Sequence, residues 1–252
     1  MEKRFITRKL RLIIDSTDKA YTEEVYAKLY HWRSICRKAS NLLMSHYFVL
    51  EQVKDIMYFT EDVKHKLADI KTDELGILST SKMNSGYRMM SGHFKGEIPT
   101  HILSCLNKRV VSFFNTYKAD YLFGKKSLQN YKEDLAIPFK GTDISYLRKC
   151  EDGISYGFKL FGIWFKTSLG RGFVYKRDLL EEWLNGVRPL KTSMLEIDGN
   201  KIYLIATFEI EHEISALNPC VIAELYLGWE YRVLLHIGNK NFTIGTNEGF
   251  LH

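Results

Sequence analysis

The chain has 252 residues, 45% of them hydrophobic, and 36 Lys and Arg against 30 Asp and Glu give a formal net charge of +6. That length holds one large domain or two to three small ones, and the apolar fraction is ample for a core. No apolar run approaches the roughly 20 residues that cross a bilayer, and residues 1–10 are basic without the apolar stretch or cleavage site of a signal peptide, so a cytoplasmic protein with no membrane partner is expected.

Residues 5–14 alternate, with Ile6, Leu10, Leu12 and Ile14 on one face and Thr7, Lys9 and Arg11 on the other, which predicts a strand. The polar cluster at 15–18 ends it. From about residue 21 to 50 the apolar positions change period: Val25, Leu29, Trp32, Cys36, Ala39, Leu43, Tyr47 and Leu50 form one stripe of a long helix. Glu23 and Glu24 are expected in its first turn, where they suit the helix dipole. Lys28, Arg33, Arg37 and Lys38 lie off the stripe, with almost no acid in mid-helix to balance them. A second, weaker helix is expected over about 51–70. Residues 78–96 are rich in small and polar types and include Lys82, Asn84, Tyr87 and Arg88, the composition of a functional or connecting loop. Pro99 suits the first turn of a third helix. Its stripe is Ile102, Leu106, Val110, Phe113, Tyr117 and Tyr121, with Gly124 as its cap.

After about residue 135 the period falls to two. Strands are expected at 135–139, 144–148, 154–159, 161–167, 173–177, 192–197 and 201–210, with a short helical turn at 179–184 and a hairpin turn at Asp198-Gly199-Asn200. Helices clustered between β segments indicate α+β rather than alternating α/β. The economical arrangement has the first strand completing the later sheet, with the helices inserted between. Lys159, Lys166, Arg171, Lys176 and Arg177 are interleaved with Phe158, Phe161, Trp164, Phe165, Phe173 and Tyr175. Such cations can grip a nucleic-acid backbone while rings stack on unpaired bases, although most of these rings are expected in the core. The chain ends in three short runs, 221–228, 232–239 and 242–249, whose Gly238-Asn239 turn predicts a β-meander.

Cys36, Cys105, Cys150 and Cys220 are widely spaced with no Cys-x-x-Cys, so they are expected to be reduced small hydrophobes rather than a disulfide framework. The eight histidines show no metal-ligand spacing, and no cofactor is expected. A modest cationic excess among 15 Tyr, 15 Phe and 4 Trp is compatible with nucleic-acid binding, and bears on partners rather than on fold.

Taken together, the basic opening strand, the long helix carrying Trp32-Arg33 and Arg37-Lys38, Ile98-Pro99 opening a helix, Phe161-Gly-Ile-Trp-Phe-Lys166 with Gly170-Arg171, and Tyr203-Leu-Ile-Ala-Thr-Phe208 form a pattern. In that order the chain resembles the N-terminal half of miniature type V CRISPR effectors and their transposon-encoded TnpB relatives. The resemblance implies an oligonucleotide-binding-like β-barrel, the wedge, over 1–18 and 135–215. It also implies an inserted helical recognition lobe over 19–134 and the first strands of an RNase H-like (RuvC) domain over 216–252. It implies guide RNA and target DNA as partners. Lys9, Arg11, Arg33, Arg37, Lys38, Lys159, Lys166, Arg171, Lys176 and Arg177 become RNA-binding candidates, and Lys82, Asn84, Tyr87 and Arg88 DNA-binding candidates.

The family's catalytic half does not carry over. RuvC chemistry uses carboxylates from separated segments to hold two metal ions, and the family's first motif is an apolar run followed by Asp-x-Gly. Here Leu225-Tyr226-Leu227-Gly228 puts a phenol in that seat, and a phenol titrating near pH 10 is a poor anionic ligand at neutral pH. Glu224 shares the face of Tyr226 but lies roughly 6–7 Å back along the strand, and Glu230 lies beyond the glycine. The later acidic motifs and zinc ribbon are expected to be missing from a chain that stops at His252. The expectation is a protein with no catalytic residues and no metal site: a nuclease-inactive, RNA-guided DNA-binding protein that represses, or recruits a transcription or transposition factor. The alternative is an interaction subunit of a split or homodimeric effector, its terminal strands completing a sheet with another chain. An active enzyme using Glu224, Glu230 and His236 is the third and least favoured reading.

Overall fold

Strand β1 (Lys3–Ile14) keeps the alternation its sequence predicts: Leu10, Leu12 and Ile14 are buried while Lys9, Arg11 and Ile13 face outward. In the computed structural model, which describes residues 3–57, 81–170, 173–211, 222–228 and 231–246, this strand lies inside a sheet built from the far end of the chain. The other members are β2 (Ile137–Phe139), β3 (Ile144–Lys149), β4 (Tyr156–Leu160), β5 (Ile163–Ser168), β6 (Ser193–Asp198) and β7 (Lys201–Glu211). The order is β2-β6-β7-β1-β5-β4-β3. The first strand therefore completes the later sheet, as expected for α+β with inserted helices. β1 runs antiparallel to β5, with Arg11 opposite Ser168 and Ile13 opposite Lys166. Phe158, Leu160, Ile163, Phe165, Leu195, Ile202, Leu204 and Phe208 fill the inner face.

Helix α1 (Lys19–Met57) begins where the Asp18 carboxylate accepts the Ala20 amide at 2.9 Å, an N-cap that satisfies an otherwise orphan donor. Every residue of its predicted stripe is buried. Two details differ from expectation. Because the helix starts at Lys19, Glu23 and Glu24 sit in its second turn rather than its first. No break follows Leu50: α1 continues to Met57, and the rest of the expected second helix lies outside the described residues.

The expected loop at 78–96 is instead helix α2 (Lys82–Phe94), capped by Ser81, whose Oγ accepts the Asn84 amide at 3.3 Å. Two glycines and three serines between 81 and 92 disfavour a helix by intrinsic propensity, and packing overrides them. Met90 is fully buried, and a Cβ on Gly86 would fall 2.9 Å from Asn107 Oδ1 and against the Tyr47 phenol. Only glycine admits that approach. Helix α3 (Thr100–Leu122) follows Pro99 and ends at Gly124, which takes φ +67. Its buried stripe is centred on Ile102, Leu106, Val110 and Phe114, while Phe113 and Tyr117 lie at its margin.

The expected strand at 173–177 is the first part of a fourth helix, α4 (Val174–Leu184). Its alternation of rings and cations imitates period two. The residues that decide the matter are Leu179 and Leu180, both buried, and Trp183, which lies 6.1 Å from the Phe158 ring and 6.4 Å from Phe208. At the other end of the core, Trp32 of α1 meets Phe161 edge-on at 5.9 Å. A single buried cluster thus runs from the helices through the inner face of the sheet, within the unit Lys3–Ile210.

Residues from Glu211 onward belong to a second unit. Its strands β8 (Ala223–Tyr226), β9 (Tyr231–Ile237) and β10 (Lys240–Thr246) form the predicted meander in the order β10-β9-β8, antiparallel throughout. Gly238 makes the β9–β10 turn at φ +56. Among the described residues, no helix is long and apolar enough to cross a membrane, and Cys36, Cys105 and Cys150 are free thiols.

Candidate nucleic-acid interface

The outer face of the seven-stranded sheet gathers several predicted cations, and strand register determines which of them meet. Lys166 on β5 lies opposite Ile13 on β1 and Gly157 on β4, and Gly157 lies opposite Arg148 on β3. One position along, Trp164 pairs with Lys159, which pairs with Ser145. Arg11 occupies the neighbouring row beside Ser168. The half of the face formed by β1, β5, β4 and β3 therefore carries Arg11, Lys166, Lys159 and Arg148 together with Trp164. The Arg148 guanidinium lies 5.1 Å and the Lys159 ammonium 5.9 Å from the Trp164 centroid, within the range of cation–π attraction.

These cations differ in what already holds them. Lys166 pairs with Asp152 at 3.0 Å, and that hydrogen bond raises its pKa. Asp152 is in turn pinned in the β3–β4 turn, where the Ser155 hydroxyl and the Ser155 and Ile154 amides, then Lys166, hold its carboxyl well below the usual range. Lys9 belongs to the β6–β7 half of the face, which is balanced by acids. It pairs with Glu196 at 2.6 Å and lies 4.3 Å from the Tyr203 centroid, and the Glu196 hydrogen bond raises its pKa. Arg11, Arg148 and Lys159 have no hydrogen-bonded or ion-paired side-chain partner among the described residues. Arg148 was not among the sequence candidates. Its signal was faint, a lone cation next to Lys149 on a short exposed strand, and only the register sets it beside Trp164.

The remaining RNA candidates are dispersed. Arg33 donates to the Ile197 carbonyl at 3.1 Å and stacks on Tyr30, which ties α1 to the β6–β7 hairpin. Arg37 faces Glu133 at 3.6 Å, and Lys38 is exposed. Lys176 and Arg177 stand on α4, with Arg177 3.6 Å from Asp178. Arg171 lies outside the described residues.

The four DNA candidates share helix α2 but not one face. Asn84 and Arg88 are exposed, and Tyr87 packs against the core. Lys82 is engaged internally: with Lys118 of α3 it pairs with the carboxylate of Glu51, which is only 3% exposed, and it donates to Asn115 at 3.1 Å. Glu51 escaped the sequence reading, though an acid four residues after Tyr47 on an apolar stripe is the kind of position that demands a buried partner.

In the meander, Glu224 and Tyr226 do share a face of β8, and the Tyr226 hydroxyl donates to Glu224 Oε2 at 2.8 Å. That hydrogen bond raises the phenol's pKa further. The His236 ring meets Tyr226 edge-on at 5.6 Å. A two-metal centre needs several convergent carboxylates. Here one carboxylate faces a neutral phenol, and no group of three or more potential metal ligands occurs among the described residues. The described residues of the meander supply too few ligand charges for such a metal pair.

No protein-family model matches the chain, and no curated protein matches it. Solved structures do. The chain aligns over 98% of its length with 67% of a chain in a cryo-EM structure of a Cas12f1–sgRNA–target DNA complex, at TM-score 0.56 and 11% identity. It aligns over 93% of its length with 53% of a chain in a CRISPR–Cas12f ternary complex, at TM-score 0.50 and 12% identity. The likeness is one of backbone path and element order, and over nearly all of its length the chain has the fold of Cas12f, the miniature type V effector.

Proposed function

We propose that this chain is an RNA-guided DNA-binding protein without nuclease activity, holding guide RNA on the β1–β5–β4–β3 half of its outer sheet face. The observation that carries this reading is the pair of cations Arg148 and Lys159 at the Trp164 ring, on a face that also carries Arg11 and Lys166, in a chain whose fold recurs in a complex with sgRNA and target DNA. Sequence would be read by guide pairing while the protein grips backbone. Loss of cleavage follows from Tyr226, whose hydroxyl bonds to Glu224 instead of supplying a ligand charge. The bound site would serve repression or recruitment of a separate factor.

Co-purification from native cells followed by sequencing of the bound RNA tests the guided reading. A discrete small RNA is the expected result, and its absence sinks the reading. For the interface, Arg148→Glu with Lys159→Glu should weaken RNA binding and lower the slope of log affinity against log salt by about 2, since each phosphate contact releases about one counterion. Lys166→Glu should matter less, because Asp152 already meets its charge. Unchanged affinity of the double variant at matched salt removes this face from the interface. Metal-dependent cleavage of guided DNA, lost on Glu224→Gln, would overturn the claim of inactivity.

A second reading rests on β8, an edge of the three-stranded sheet whose neighbours Ile222 and Leu227 and own Leu225 are 69%, 78% and 61% exposed. A bare apolar edge is a template for strand addition. Light scattering of the RNA-free protein tests pairing of two copies along it, and a monomer at high concentration counts against it.

A further inference from the structure

Tyr146 is exposed and held out of the regular β3 pleat. Its φ is +54, a left-handed conformation costly for an aromatic residue, and it sits where the β3–β4 register shifts between Ser145 and Arg148. The bulge gains no buried ring in return, because Tyr146 is 69% exposed. What it achieves is placement. The Tyr146 ring stands beside the half-buried Trp164, with centroids 5.8 Å apart and planes inclined at 38°. Gly157 beneath them lacks a side chain, and Arg148 occupies that space: a Cβ there would lie 3.6 Å from Arg148 Nε and 3.7 Å from its Cγ. Arg148 thereby reaches the Trp164 ring, which Lys159 approaches as well. Asp152, in the adjoining turn, is engaged by Ser155 and Lys166, and Arg148 and Lys159 have no ion-paired partner among the described residues.

From this geometry we propose that Tyr146 and Trp164 form a stacking site for one unpaired nucleobase of single-stranded RNA, with Arg148 and Lys159 receiving the adjoining phosphates. The site deepens the RNA-binding reading above and rests on it for the identity of the ligand. The exposed Tyr146 ring beside the half-buried Trp164 offers a π-face that a base inside a duplex cannot reach, and backbone strain spent on exposing a ring is typical of ligand-contacting positions. Preference for single strands over duplex follows, together with tolerance of base identity, since every base has a π-face.

The test uses the full chain, titrated with an oligoriboadenylate of about eight nucleotides, within the usual range of single-strand site sizes. A deoxy-oligonucleotide of equal length and an RNA duplex of equal charge complete the set. Indole emission should be quenched by the single strands, and Trp164→Phe should remove most of the quench, because Trp32 is buried and Trp183 packs on Phe158 and Phe208. Tyr146→Ala should weaken single-strand binding about five- to a hundredfold without changing the salt slope or duplex binding, and Tyr146→Phe should restore it. Arg148→Ala should instead lower the salt slope by about one. Equal losses for duplex and single strand in Tyr146→Ala, or no loss at all, would overturn the proposal. Tighter binding of the deoxy strand would reassign the base to DNA and overturn it as stated. Failure of guide RNA to co-purify, with the Tyr146 effect intact, would sink the guided reading and leave the stacking site standing.

Discussion

Glu51 shows how one buried side chain can commit two others. Burial by itself pushes its carboxyl pKa up, but hydrogen bonds and charge from Lys118 and Lys82 outweigh that and hold it below the ordinary glutamate range. A carboxylate whose folded pKa is depressed adds stability that is fully present above the unfolded value and is lost as pH falls through the folded one. Urea midpoints should therefore drop as pH falls below the ordinary glutamate range, and Glu51→Gln should flatten that part of the profile. The variant should cost about 2–3 kcal/mol near neutrality, less than the ~3–5 of a fully buried pair, because Lys118 keeps contact with water. Nearby, Gly86→Ala would drive a methyl against Asn107 and Tyr47 and should destabilise by about 1–3 kcal/mol. Cys36 offers a probe without mutation: burial pushes its thiol up to about 12 despite the opposing charge of Arg109. Folded protein should resist alkylation at Cys36 near pH 8 while the half-exposed Cys150 reacts, as peptide mass spectrometry would show.

Among the elements, α1 was the most legible because its eight-residue apolar stripe leaves period 3.6 as the only fit. The β6–β7 hairpin was legible for a similar reason, and the two are clasped together: the Tyr26 and Tyr30 hydroxyls donate to the Asn200 and Gly199 carbonyls at 2.9 and 2.8 Å. Replacing both tyrosines with Phe should cost about 1 kcal/mol per hydrogen bond, read from thermal or urea unfolding. Helix α2 and the first half of α4 were illegible for opposite reasons, the helical turn expected at 179–184 being the second half of α4. The first has helix-poor composition rescued by packing on Tyr47 and Asn107, and the second has ring–cation alternation that mimics a strand until Leu179 and Leu180. Because of α4, Lys176 and Arg177 leave the sheet face on which a strand would have put them. Between elements, Gly141 lets the turn after β2 pass directly against the Leu190 carbonyl. A Gly141→Ala methyl would meet backbone that cannot rotate away, so expression or melting temperature should fall.

At the scale of the molecule, every buried apolar side chain among the described residues lies between Leu10 and Phe208, inside the unit Lys3–Ile210. A chain truncated after Glu211 should fold with a melting temperature within a few degrees of the full protein, and circular dichroism would expose a larger loss. Local pattern was enough to determine the α+β class, the long first helix, the insertion of helices between β1 and its sheet, and the terminal meander. Those features depend on periodicity and turn chemistry, which neighbouring residues carry. Tertiary structure alone decided which cations are available. Lys82, Lys9 and Lys166 find Glu51, Glu196 and Asp152 across strands and helices, whereas Arg148 finds Trp164. Charge is written in the chain one residue at a time, but its neutralisation depends on partners 14 to 187 positions away that only folding brings within about 3 Å.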